Sequence, residues 1–173
     1  MKHGVYVREQ KTSVSTPVVA ESGVPFVVGT APVHSAESPA ALFTPVLCTD
    51  WEDAVKKLGY SDDWKTYTIC EVMYSHFKLF QRQPIIFCNV LDPSTNKEAV
   101  AGAEVTLSGK QAKLPFDAIL SSLVVKTASS SESPLVKDTD YAAYYSDGNL
   151  IVETIEDGAA KAATQLYISY DKL

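Results

Sequence analysis

The sequence predicts an α+β protein: an extended N-terminal arm, an α/β-like core segment of two helices and short strands, and a small antiparallel β-domain. Three observations carry this. Residues 49–93 hold two apolar helical faces followed by a nearly continuous apolar run. Beyond Lys97 helical periodicity fades and short β-prone runs recur, two of them joined by Ser146-Asp147-Gly148-Asn149, where Asp-Gly favours a tight hairpin. Ahead of Pro17 no helical period is present. The boundaries drawn are therefore 1–16 for the arm, 17–97 for the core segment and 98–173 for the β-rich part.

Composition narrows the function classes. A chain of 173 residues with 46% hydrophobic and 21% charged residues can bury a real core as one domain, or one and a half. The formal net charge of −6 argues against a nucleic-acid groove, which needs clustered Lys and Arg. Cys48, Cys70 and Cys88 show no C-x-x-C spacing and sit among apolar neighbours, as buried free thiols of a reducing compartment do. The start MKHGVYVREQ lacks the apolar region of a signal peptide, and no run reaches transmembrane length. The expectation is a protein made in a cytoplasm, with no cofactor, no metal, no nucleic acid and no membrane insertion.

Val5 and Val7 alternate weakly around the β-prone Tyr6, after which the chain turns polar. On these residues alone a frayed terminus is the default. The sharper alternative is an arm whose Val5, Tyr6 and Val7 add a strand to another subunit's sheet. After the turn signal Glu21-Ser22-Gly23, the run Phe26-Val27-Val28 predicts a strand buried on both faces, closed by Gly29 and Pro32. No phosphate-binding glycine motif follows Gly29. Residues 34–44 read as a loop, and Pro45-Val46-Leu47-Cys48 as a second short apolar run.

Asp50 is a good N-cap, with Glu52 and Asp53 in the first turn. Trp51, Ala54, Val55 and Leu58 then share one face, and Gly59 supplies the stop. A second helix is predicted over 65–80, with Ile69, Val72, Met73, His76, Phe77 and Phe80 on its apolar face. Pro84 opens a strand over 85–91 whose continuous apolar character marks a central parallel strand, so helix, turn and strand form the second half of a βαβ unit. His76 has no second ligand at metal spacing and reads as a boundary histidine. Pairing it with Cys88 would make a thiol hydrolase, but Cys88 falls mid-strand, away from the exposed elbows where thiolates are activated. No catalytic constellation is read from the chain.

Residues 95–103 are small and polar and are expected to be a linker. Strands are predicted near 104–107, 123–127, 140–145, 150–155 and 166–170, with one helical turn within 115–122 and a flexible loop at 129–133.

Read in order, several weak motifs line up along the chain: His3-Gly4-Val5-Tyr6-Val7, the strand from Val24 to Val33, and Leu58-Gly59-Tyr60-Ser61-Asp62-Asp63-Trp64. Cys70-Glu71, Tyr74, Val90-Leu91-Asp92-Pro93, Thr139-Asp140-Tyr141, Asp147-Gly148-Asn149-Leu150 and Ser169-Tyr170-Asp171-Lys172-Leu173 follow. In this order and spacing the chain resembles the N-terminal part of bacteriophage contractile-tail sheath proteins, of phage or prophage type. The resemblance implies a non-enzymatic structural subunit that polymerises around a tail tube in the virion, assembled in the bacterial cytoplasm. Contraction would drive the tube through the host envelope. Its implied partners are other sheath subunits, the tail tube protein, the baseplate and the tail terminator. The arm at Val5, Tyr6 and Val7 would join neighbouring subunits, and residues after about Lys97 would form an inserted, outward-facing domain. Members of that family are much longer and return to complete the core. The expectation is thus a truncated N-terminal fragment whose core sheet has unpaired strands and exposed apolar surface.

One further reading comes from the β-rich part. Tyr141, Tyr144, Tyr145, Tyr167 and Tyr170 would suit a module binding a surface glycan or protein if exposed. If they pack the strands instead, they are simply β-formers.

Overall fold

The local signals around Asp50 produce the helix they predict. In the computed structural model, which describes residues 23–129 and 133–173, helix α1 spans Trp51–Leu58. The Asp50 side chain accepts from the Asp53 amide at 2.8 Å. Gly59 ends the helix at φ +72°, and a Cβ there would lie 2.3 Å from the Pro32 carbonyl oxygen, so only glycine fits. The arm residues Val5, Tyr6 and Val7 lie outside the described residues.

Strand β1 (Phe26–Gly29), β2 (Val46–Cys48) and β3 (Ile85–Asn89) form one small sheet in the order β1-β3-β2. The run over 85–91 does become the central strand, parallel to β1 and antiparallel to β2. On one side of the sheet Val27, Val46, Ile85 and Phe87 pack with Ala54, Leu58, Ile69, Met73 and Phe77 of the helices.

The second helix differs from its expected span. Helix α2 covers Thr68–Met73 and continues as a π-helix over Tyr74–Leu79. It starts late because its cap comes from across the fold. Thr30 accepts the Thr68 amide on its hydroxyl at 3.0 Å and the Ile69 amide on its carbonyl at 3.0 Å. The wider π turn, seen in the Phe80 amide bonding to Ser75 O, shifts the phase of the apolar face. Ile69, Met73 and Phe77 stay buried, while Phe80, expected on that face, is exposed along with Leu79.

The β-rich part is two three-stranded antiparallel sheets around a second core. One contains β4 (Glu98–Thr106), β6 (Val124–Lys126) and β9 (Gln165–Lys172), in the order β4-β9-β6. The other contains β5 (Gln111–Pro115), β7 (Tyr141–Ser146) and β8 (Asn149–Thr154), in the order β5-β8-β7. Asp147 and Gly148 take φ of 48° and 68° in the expected hairpin turn, and a 3-10 turn at Leu120–Ser122 supplies the expected helical piece.

The linker expected over 95–103 is a correction. From Glu98 onward it belongs to β4, which pairs with β9 and carries a bulge between Val100 and Ala103, where Gly102 takes φ 58°. Its alanines have weak β-propensity, and the distant partner strand decides the outcome.

Candidate interaction surface

Alternation along the strands of the first sheet sends half its side chains away from the helices. Phe26, Ile86 and Leu47 lie abreast on that outer face, with Val28 beside Cys88 in the next row. Phe26 is 56% exposed, Val28 57% and Leu47 48%. Val24 and Phe43, on the chain leading into β1 and β2, are also exposed. The strand expected to be buried on both faces is therefore covered on one. The helices occupy a single side of the sheet, and among the described residues no layer covers the other.

The two edges of this sheet are not equivalent. At β2, the Leu47 carbonyl accepts the Lys57 ammonium at 3.0 Å, and a lysine is a common way to blunt a sheet edge. At β1, the Pro25 and Gly29 carbonyls accept from the Ile86 and Val90 amides of the central strand side. By the two-residue alternation, the amides and carbonyls of Phe26 and Val28 point to the opposite edge, where no strand pairs with them among the described residues. The edge closes at Thr30, whose amide and hydroxyl bond to Thr68 and Thr66. Open main-chain groups and exposed apolar side chains thus coincide at Phe26 and Val28.

Asn89 fixes the end of the central strand. Its Oδ1 accepts from the Ala31 and Leu91 amides at 2.9 and 3.1 Å, and its Nδ2 donates to the Leu91 carbonyl at 2.9 Å. This fully buried amide was not singled out in the sequence; a polar residue closing an apolar run was the available signal.

All three cysteines are free and buried. Burial, with Asp53 adding to it, pushes the Cys48 thiol up to about 11; burial likewise pushes Cys70 up to about 11. Cys88 sits within β3, and His76 lies on the π-helix with its Nδ1 buried and without a hydrogen-bond partner among the described residues. No hydrogen bond joins the two side chains among the described residues. No group of three or more His, Cys, Asp or Glu among the described residues is placed to hold a metal ion, and no described helix is long and apolar enough to cross a membrane.

Of the five tyrosines considered for a binding face, Tyr141 and Tyr170 are buried, Tyr145 and Tyr167 are half-buried, and Tyr144 is exposed. The Tyr144 hydroxyl donates to Glu153 Oε2 at 2.8 Å on the outer face of the β5-β8-β7 sheet. Tyr145 turns the other way, donating to the Ala118 carbonyl at 2.7 Å and accepting from the Leu120 amide at 3.1 Å.

No family model, no characterised protein sequence and no solved structure matches the chain.

Proposed function

We propose that the chain is a structural subunit of a contractile phage tail sheath, acting through subunit contacts and not through catalysis. The ordered motifs from His3 to Leu173 motivate the reading. The observation that carries it is the sheet left unfinished among the described residues: an apolar outer face at Phe26, Val28 and Leu47 next to a β1 edge with which no described strand pairs. Exposed contiguous apolar surface beside unpaired main-chain groups suits strand addition by another chain. In this reading Val5, Tyr6 and Val7 of a neighbouring copy supply the added strand. The module over 98–173 faces outward, and the place of action is the virion tail, assembled in the bacterial cytoplasm. Partners would be further sheath subunits, the tube protein, the baseplate and the terminator.

The test is assembly. Produced together with its gene neighbours, the chain is expected in rings or tubes by negative-stain microscopy. Deleting residues 1–16 should leave circular dichroism and unfolding unchanged while abolishing those assemblies. Monomers only, for the intact chain, would sink the reading; tubes that persist after the deletion would sink the role given to the arm.

A further inference from the structure

The two cores meet at a small aromatic cluster centred on His34. This residue lies in the 3-10 turn Val33–Ser35 that follows β1. Its ring meets Phe116 edge-on at 5.4 Å and Tyr145 at 5.7 Å, both from the β-rich half, and tilts against Tyr67 at 6.1 Å. Nε2 lies 3.0 Å from the Phe116 carbonyl oxygen. Like the Lys97–Asp171 pair at the boundary between the halves, this contact crosses from one half to the other among the described residues.

That contact fixes the tautomer. A carbonyl oxygen only accepts, so Nε2 carries the proton and Nδ1 is the bare nitrogen. Nδ1 is out of contact with solvent and has no partner among the described residues. A second proton there would place an N–H without an acceptor, and a charge, among three aromatic rings.

The surrounding groups bear on this from every side. Asp117, beside Phe116, has its own Oδ1 buried and without a partner among the described residues, and its charge favours the protonated ring. Tyr67 and Tyr145 are both pushed upward by burial and stay neutral. Lys97 lines the adjoining cleft but is paired with Asp171 at 2.6 Å. Burial outweighs the Phe116 carbonyl and Asp117, and holds the imidazole below its ordinary 6.5.

We propose that His34 is an acid-released latch between the α/β half and the β-rich half, closed while its imidazole is neutral and loosened when it gains a second proton. The sign follows from linkage. A histidine held low in the docked state binds its proton more readily once undocked. Docking is therefore complete above about pH 6.5 and is given up as pH falls from there through the docked-state value. The latch is independent of any assembly role.

Amide exchange and NMR of the rings test it on the whole chain. The nuclear Overhauser contact between the Tyr67 and Phe116 rings, which cross the junction 6.1 Å apart, is expected to weaken severalfold between about pH 7.5 and 5.0. Amides within β3 and β8 should keep their exchange protection, which separates undocking from unfolding. In His34→Gln, whose amide can still donate to Phe116 but has no proton to gain, the Tyr67–Phe116 contact should stay nearly constant over the same pH range. The same pH response in His34→Gln would overturn the proposal. Should that variant not fold, the wild-type ring decides: an imidazole that titrates at or above 6.5 overturns the latch, and one that titrates below it with Nε2 protonated supports it.

Discussion

The two halves of the molecule solve the same problem to different degrees. In the β-rich half, two sheets face each other, and Leu114, Val125, Leu150, Val152, Leu166 and Ile168 fill the space between them. Each sheet is the other's cover. In the α/β half, the helices cover one side of a three-stranded sheet and leave Phe26, Val28 and Leu47 in water. A sheet containing a parallel pair is normally buried on both faces, so among the described residues this half is a layer short where its partner is complete. The difference locates the candidate interaction surface without appeal to any catalytic group.

The sharpest way to break this comparison is to separate the halves. Residues 98–173 alone are expected to unfold cooperatively in urea as a monomer, whereas residues 17–97 alone should aggregate or stay unfolded. A soluble, cooperative 17–97 fragment would show that its outer face needs no cover. Within the intact chain, Phe87→Ala removes a buried ring from the covered side and should cost about 3–5 kcal/mol in chemical denaturation. Phe26→Ser on the opposite face should stay within about 0.5 kcal/mol while lowering self-association in analytical ultracentrifugation. Equal costs for the two would erase the asymmetry. Between these extremes, Asp50→Ala removes the α1 cap and is expected to cost about 1 kcal/mol, felt in the α/β half alone.

Thiol chemistry sharpens the contrast between surface and core. With Cys48 and Cys70 pushed up to about 11 by burial, neither should be alkylated in the native protein at pH 8, and both should react once it is unfolded.

What the sequence determined by itself was local. Asp50, the apolar spacing from Trp51 to Leu58 and Gly59 make α1 because cap, face and stop all act within a few residues. Asp147-Gly148 makes its hairpin because two successive positive φ values are cheap for those residues. The apolar run from Ile85 places β3 at the centre of its sheet. Strand β5 was legible too, in the alternation of Ala112 and Leu114, but a weak period over five residues is easily passed over.

The tertiary structure decided whatever depended on a distant partner. Helix α2 starts at Thr68 because Thr30 caps it from 38 residues away. Strand β4 replaces a linker because β9 pairs with it from the far end of the chain. The outward position of Phe26 and Val28 follows from which side of the sheet the helices took, and a run of apolar residues cannot encode that side. His34 read as part of a loop, and only the arrival of Phe116 and Tyr145 from 82 and 111 residues further on made it a junction. Capping and turn preferences are energies of neighbouring residues, carried in the sequence as written. Coverage, register and desolvation are energies of meeting, set when separate parts of the chain come into contact.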